Sequence, residues 1–240
     1  MIQPHIHRFE TVDSTNDVAL AMARDGASEG TVVTALLQTK GRGRRGRAWF
    51  GAEGESVLMS IVLRPQVAAP RFAELSFVAS LSVAERLQRE GCENAALKWP
   101  NDVLANGRKI AGILIETTGE AAIVGVGVNV NQRDFPKQIR QSATSLMLET
   151  GSPRDVERLS EDLARDVLSN YELYRSRGFE EILRRWEKYM WGAGCSVEVL
   201  GEGYHLQGRI AGVDSSGALL VIDEEGKEHS VVAASEVRGL

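Results

Sequence analysis

Residues 96–131, ALKWPNDVLANGRKIAGILIETTGEAAIVGVGVNVN, limit the possible fold more than any other stretch of this chain. Asn106-Gly107 and Gly119-Glu120 fall between its apolar runs, and such pairs favour the two-residue turns of β-hairpins. Tight turns join antiparallel neighbours, whereas a parallel return needs a crossover of roughly a dozen residues or more. A largely antiparallel sheet is therefore expected here. Ser14 opens STNDVALAMARDG with a capping side chain, Asp17 three residues on and Gly26 as a stop, which predicts a short helix. TVVTALLQ (31–38) and SVLMSIVLRP (56–65) read as strands, and Pro70 to Arg89 as an amphipathic helix stopped by Gly91. Helical spacing returns from Pro153 to about Met190, in ERLSEDLARDVLSNYELYRSRG and FEEILRRWEKYM.

After Trp191 the composition shifts to glycines and short β-type runs, CSVEVL, HLQGRIAGVD, GALLVID and EHSVV. This predicts a small β-barrel after an α+β domain, with the division at 1–191 and 192–240. Charge follows the same division. The net charge is −5, and residues 192–240 set Arg209, Lys227 and Arg238 against eight acids, so the rest of the chain is balanced. Such a tail is a poor binder of nucleic acid. No apolar run approaches the ~18 residues of a membrane span and MIQPHIHRFE lacks a signal-peptide core, so a cytoplasmic protein without membrane contact is expected. Cys92 and Cys195 have neither metal-ligand nor CxxC spacing and are read as reduced. His5 and His7 share a strand face but have no third ligand nearby.

Against this neutral background, QTKGRGRRGRAWF (38–50) places Lys40, Arg42, Arg44, Arg45 and Arg47 within eight residues. Glycines let backbone N–H groups approach an anion, and arginines add bidentate donors shaped for phosphate or carboxylate. An anion cradle is the first expectation, a solvated loop or a nucleic-acid segment the alternatives. The loop is not a Walker A sequence, and its GRGRRG opens no dinucleotide-binding helix.

Taken with STN (14–16), KWPNDV (98–103), KIAGILIE (109–116), GVGVNVN (125–131) and ATSL (143–146), the basic loop resembles the biotin protein ligases over nearly the full chain. That family adenylates biotin with ATP and transfers it to a lysine of a carrier domain. The resemblance implies an α+β fold of the class II aminoacyl-tRNA synthetase type, the biotin-lipoate ligase fold: a mixed, largely antiparallel sheet with flanking helices and an SH3-like C-terminal barrel. It also implies Mg2+ held mainly through phosphates rather than by protein side chains, and a carrier domain of a biotin-dependent carboxylase as partner. A homodimer is one expectation for the assembly. STN is reached by residue 14, so no DNA-binding helix-turn-helix and no DNA partner are expected. A lipoate or octanoate ligase of the same fold is the nearest alternative.

Carried over by position, Ser14, Thr15, Asn16 and Gln38 match the family's ureido site. Short neutral hydrogen-bonding side chains suit a planar urea at the end of an apolar slot. Arg42, Gly43 and Arg44 match positions that contact biotin and its adenylate. Arg42, Arg44, Arg45, Trp49, Lys109 and Asn129 match the nucleotide side, with Asn131 as an alternative to Asn129. Lys98 matches the lysine between the biotin carboxylate and the α-phosphate, and Lys98 and Arg44 are the catalytic candidates. Asp102 could hold Lys98 or a magnesium ion, or simply close a turn. The loop is expected to be mobile until anions relieve its self-repulsion, and then to cover the adenylate.

Overall fold

The computed structural model describes residues 2–240. The 96–131 block forms a meander of β4 (Ala95–Lys98), β5 (Asp102–Ala105), β6 (Arg108–Thr118) and β7 (Ala121–Asn129), every neighbouring pair antiparallel. Its β5–β6 turn has φ 49° at Asn106 and 76° at Gly107, the two positive angles that select Asn-Gly there. β1 (His5–Val12), β2 (Thr31–Gln38) and β3 (Ser56–Leu63) extend it to a seven-stranded sheet in the order β1-β2-β3-β7-β6-β5-β4. Only β1 and β2 run parallel, joined through α1 (Thr15–Arg24), so the sheet is mixed as expected.

Side-chain alternation along β7 sorts the two faces of the sheet. Val124, Val126 and Val128 join the main core beneath α2 (Glu74–Arg89), α4 (Val156–Arg177) and α5 (Phe179–Trp186). Gly125 and Gly127 turn to the opposite face, where α1 packs through Ala19 and Ala23 on Val33, Val62 and Ile123. That face is left as nearly bare backbone beyond the end of α1.

Three local expectations are corrected. Ser14 stands at the N-cap of α1 but makes no side-chain cap, because it is buried in the wall of a cavity; Asp17 turns to Arg42 instead. Residues 69–73 form a 3-10 turn, so α2 starts at Glu74, and β3 ends at Leu63. A short helix absent from the sequence reading, α3 (Leu146–Thr150), grows from the ATSL segment, with the Ser145 hydroxyl accepting from Leu148 N–H at 3.2 Å.

β8 (Ser196–Gly201), β9 (Tyr204–Val213), β10 (Leu219–Ile222), β11 (Glu228–Val231) and β12 (Glu236–Gly239) form a second antiparallel sheet in the order β11-β10-β9-β8-β12, consistent with an SH3-like unit. It is not packed apart. Val197, Val199, Ile210 and Leu219 belong to the same hydrophobic cluster as the sheet-covering helices. The Trp99 indole N–H donates to Gly217 O at 2.9 Å, and Trp191 N–H to Leu97 O at 2.9 Å. The second sheet is thus docked on the KWPND turn itself.

Candidate functional site

A cavity of about 420 Å³ opens on the glycine face of the large sheet, walled by the start of α1, the 42–50 loop, the KWPND turn, residues 135–143 and, from the second sheet, residues 234–237. Its floor has no room for side chains. A Cβ on Gly125 would lie 2.4 Å from Asn16 Oδ1, and one on Gly127 2.5 Å from Trp49 Cε2. The GVGVN run is therefore a floor cut to admit groups from above. Trp49, matched to the nucleotide side, lies on this floor between Gly112 and Gly127, its buried Nε1 without a hydrogen-bond partner among the described residues.

Ser14, Thr15, Asn16 and Gln38 converge at one end of the cavity. Gln38 Oε1 accepts from Thr15 N–H at 2.7 Å and lies 3.0 Å from Thr15 Oγ1. The buried Ser60 hydroxyl lies 2.7 Å from Thr15 Oγ1 and 2.6 Å from Asn16 Oδ1, and Asn16 Nδ2 donates to Glu116 Oε2 at 2.6 Å. The start of α1 is thus held in a network of neutral amides and hydroxyls, ending at one carboxylate. Ser60 and Glu116 escaped the sequence reading. Glu116 closes the quoted KIAGILIE block, but nothing local marks a strand carboxylate as facing a residue 100 positions away.

The structure divides the loop's cations into two groups. Arg42 makes a bidentate pair with Asp17, both contacts at 2.6 Å, and lies 3.2 Å from Glu116, while Lys40 bonds Asp13 at 2.8 Å. The hydrogen bond to Asp17 is the main force holding Arg42 protonated well above its ordinary range. Its side-chain charge is already matched, a correction to the expectation that only bound anions relieve the loop's repulsion. Among the described residues Arg44, Arg45 and Arg47 form no salt bridge. Arg44 donates to Asn101 Oδ1 at 3.0 Å, and burial followed by repulsion from Arg45 lowers its pKa. Arg47 donates to Ser235 O at 3.1 Å, tying the loop to the second sheet.

Lys98 also lines the cavity, and burial pulls its pKa below the ordinary lysine value. Its ammonium stands 4.9 Å over the Trp191 ring and has no salt bridge among the described residues. Asp102, a candidate partner for it, instead bonds Lys109 at 2.6 Å. Lys98 and Arg44 are therefore partly desolvated charges lacking an internal counter-ion, a state that favours an incoming anion. Asn129 lines the cavity and donates from Nδ2 to Thr144 O at 2.9 Å, whereas Asn131 is spent on Arg154, donating to its carbonyl and accepting from its N–H at 2.8 and 2.9 Å. Phe135, Ile139 and Ala143 add an apolar wall that the sequence did not reveal. No group of three or more His, Cys, Asp or Glu suited to a metal occurs among the described residues, and His5 and His7 lie on β1, outside the cavity.

Known proteins resemble this chain over most of its length. The model of the biotin/lipoate A/B protein ligase family matches residues 8–132. The biotin–[acetyl-CoA-carboxylase] ligase of Paracoccus denitrificans is 37% identical over 236 residues, 94% of this chain and 96% of its own length. The bifunctional ligase/repressor BirA of Bacillus subtilis is 34% identical over 229 residues, 92% of this chain and 70% of its own. Among solved structures, the Aquifex aeolicus biotin protein ligase in complex with biotin and ATP superposes with a TM-score of 0.89 at 32% identity, covering 98% of this chain and 99% of that one.

Proposed function

Since the chain belongs to the biotin/lipoate A/B protein ligase family and is an ATP-dependent biotin–protein ligase, we propose how its own residues divide the work. Thr15, Asn16, Gln38 and Ser14 take the ureido ring, Lys98 and Arg44 take the carboxylate and α-phosphate, and Trp49, Lys109 and Asn129 take the nucleotide. The observation that carries this division is the cavity's polarity: neutral amides and hydroxyls at one end, and two uncompensated cations, Lys98 and Arg44, elsewhere on its wall. Arg42 enters through its backbone and through its hold on the loop rather than as a free charge, and Arg45 remains an exposed cation for the phosphates.

In the first step a biotin carboxylate oxygen forms a bond to the α-phosphorus of ATP as the bond to pyrophosphate breaks. The substrate supplies the nucleophile, so the protein contributes alignment and positive charge where negative charge accumulates. Lys98 and Arg44 act without first giving up an internal salt bridge, which makes them preorganised. Mg2+ would supply charge neutralisation on the phosphates. The donor set fits an ion held mainly by the substrate, since Asp102, a carboxylate of the cavity lining, is already on Lys109. In the second step the neutral amine of a carrier lysine attacks the acyl carbon, forming an amide, releasing AMP and losing its proton. Until then the 42–50 loop and residues 234–237 keep water from the mixed anhydride.

Lipoate or octanoate, having no ureido N–H, would leave the spare acceptor positions of the hydroxyl and amide cluster at the α1 end without a ligand donor, an arrangement that disfavours such analogues. The acceptor is the carrier domain of a biotin-dependent carboxylase, and the setting is the cytoplasm, in keeping with two free cysteines. Incubation with Mg-ATP and biotin, lipoate or octanoate in turn, followed by mass spectrometry, should give an acyl-adenylate with biotin only. A lipoyl- or octanoyl-adenylate of equal yield would overturn the assignment of the neutral end.

A further inference from the structure

Glu116 stands where two parts of the site meet. Its Oε2 accepts from Asn16 Nδ2 at 2.6 Å and lies 3.2 Å from Arg42 Nη2. Asn16 belongs to the neutral end of the cavity, while Arg42 belongs to the loop, so one carboxylate spans both. We propose that Glu116 is a positioning residue that sets the Asn16 carboxamide for the ureido ring and, together with Asp17, holds the arginine loop in its covering position. This rests on the functional division above.

The chemistry of each contact follows from its donors. With Nδ2 committed to Glu116, the amide of Asn16 cannot flip, and Oδ1 is fixed toward Ser60 at 2.6 Å with a second lone pair to spare for a ligand N–H. The negative charge on the far side of the amide also polarises it, making Oδ1 a stronger acceptor. Gly125 is part of the same device, since only a residue without Cβ lets the Asn16 amide lie against β7. On the loop side, Arg42 carries two carboxylates, Asp17 in a bidentate pair and Glu116 beside it. Two anions on one guanidinium hold it to α1 and β6 and keep it from competing with Lys98 for the substrate carboxylate.

The two duties separate by substitution in the full-length chain. Glu116→Gln keeps an acceptor for Asn16 Nδ2 but loses the charge toward Arg42; Glu116→Ala loses both; Asp17→Asn weakens the loop tether alone. Calorimetric biotin affinity without ATP should fall about tenfold or more in Glu116→Ala, recover to within about threefold of wild type in Glu116→Gln, and remain unchanged in Asp17→Asn. Free biotinyl-AMP, measured after rapid filtration, should rise in Asp17→Asn and rise further in Asp17→Asn/Glu116→Gln. A merely structural carboxylate would lower thermal stability in Glu116→Ala and Glu116→Gln alike, with no recovery of affinity. Unchanged biotin affinity in Glu116→Ala, or equal leakage from Asp17→Asn and the double variant, would overturn the proposal. A wild-type chain that formed no biotinyl-AMP would instead refute the functional division on which it rests.

Discussion

Gly125→Ala tests the floor of the site with one methyl group. Its Cβ would stand 2.4 Å from Asn16 Oδ1 and 3.0 Å from Cγ, closer than real contacts allow, and β7 is a central strand paired on both sides and unable to retreat. Asn16 must therefore swing away, giving up the hydrogen bonds at 2.6 Å to Ser60 and at 2.6 Å to Glu116. A neutral hydrogen bond contributes about 1 kcal/mol and one to a charged group about 1.5 to 3, so the displaced geometry costs about 2.5 to 4 kcal/mol. Felt at the ligand, that is a loss of affinity between roughly 70-fold and nearly a thousandfold. Isothermal calorimetry with biotin alone is the assay, and Gly127→Ala is the matched comparison. Its methyl would strike Trp49 at 2.5 Å instead, so it should weaken ATP more than biotin. Biotin affinity of Gly125→Ala within threefold of wild type, or equal effects of the two variants on both ligands, would refute the account of the floor.

Lys98→Met should lower kcat for pyrophosphate release by about 10² to 10³, yet leave the thermal midpoint unchanged or raised, because it removes a half-buried ammonium without a salt bridge. Burial lowers the Lys98 pKa in the folded chain, so its charge costs stability below that pKa, and the cost fades as pH rises to the ordinary lysine value. The advantage of Lys98→Met should accordingly shrink over that window, as read from urea midpoints across pH. Arg44→Gly should leave adenylation partly active while free biotinyl-AMP escapes, and an active variant that releases none would count against the cover. Burial pushes the Cys92 thiol up to about 11 whereas Cys195 is exposed, so a thiol reagent at neutral pH should label one cysteine in the native protein and two in urea.

The meander was legible because its signals are local: Asn-Gly turns and alternating valines specify antiparallel neighbours without reference to the rest of the chain. The sites of Ser14, Asn16, Lys98 and Asn129 were reached through motifs, and all four line one cavity. What stayed hidden was compensation across distance. Five cations in the loop read as one repelling patch, yet Asp13 and Asp17, more than twenty residues earlier, neutralise Lys40 and Arg42. Ser14 reads as a helix cap until the fold buries it beside Gln38, and the contribution of residues 234–237 to the cavity has no signature in a tail that reads only as a small barrel. Pattern reveals elements, whereas pairing of charges depends on which elements meet.

The bare strand that floors the cavity also limits how this enzyme can be re-engineered. Backbone atoms present the same hydrogen-bonding groups whatever the codon, and at Gly125 and Gly127 each added carbon collides with a neighbour already in place. Substrate preference therefore cannot be adjusted from below. A library aimed at unnatural acids would do better to keep both glycines and Lys98 invariant and vary Gln38, Leu58 and Leu114, which border the same space with replaceable side chains.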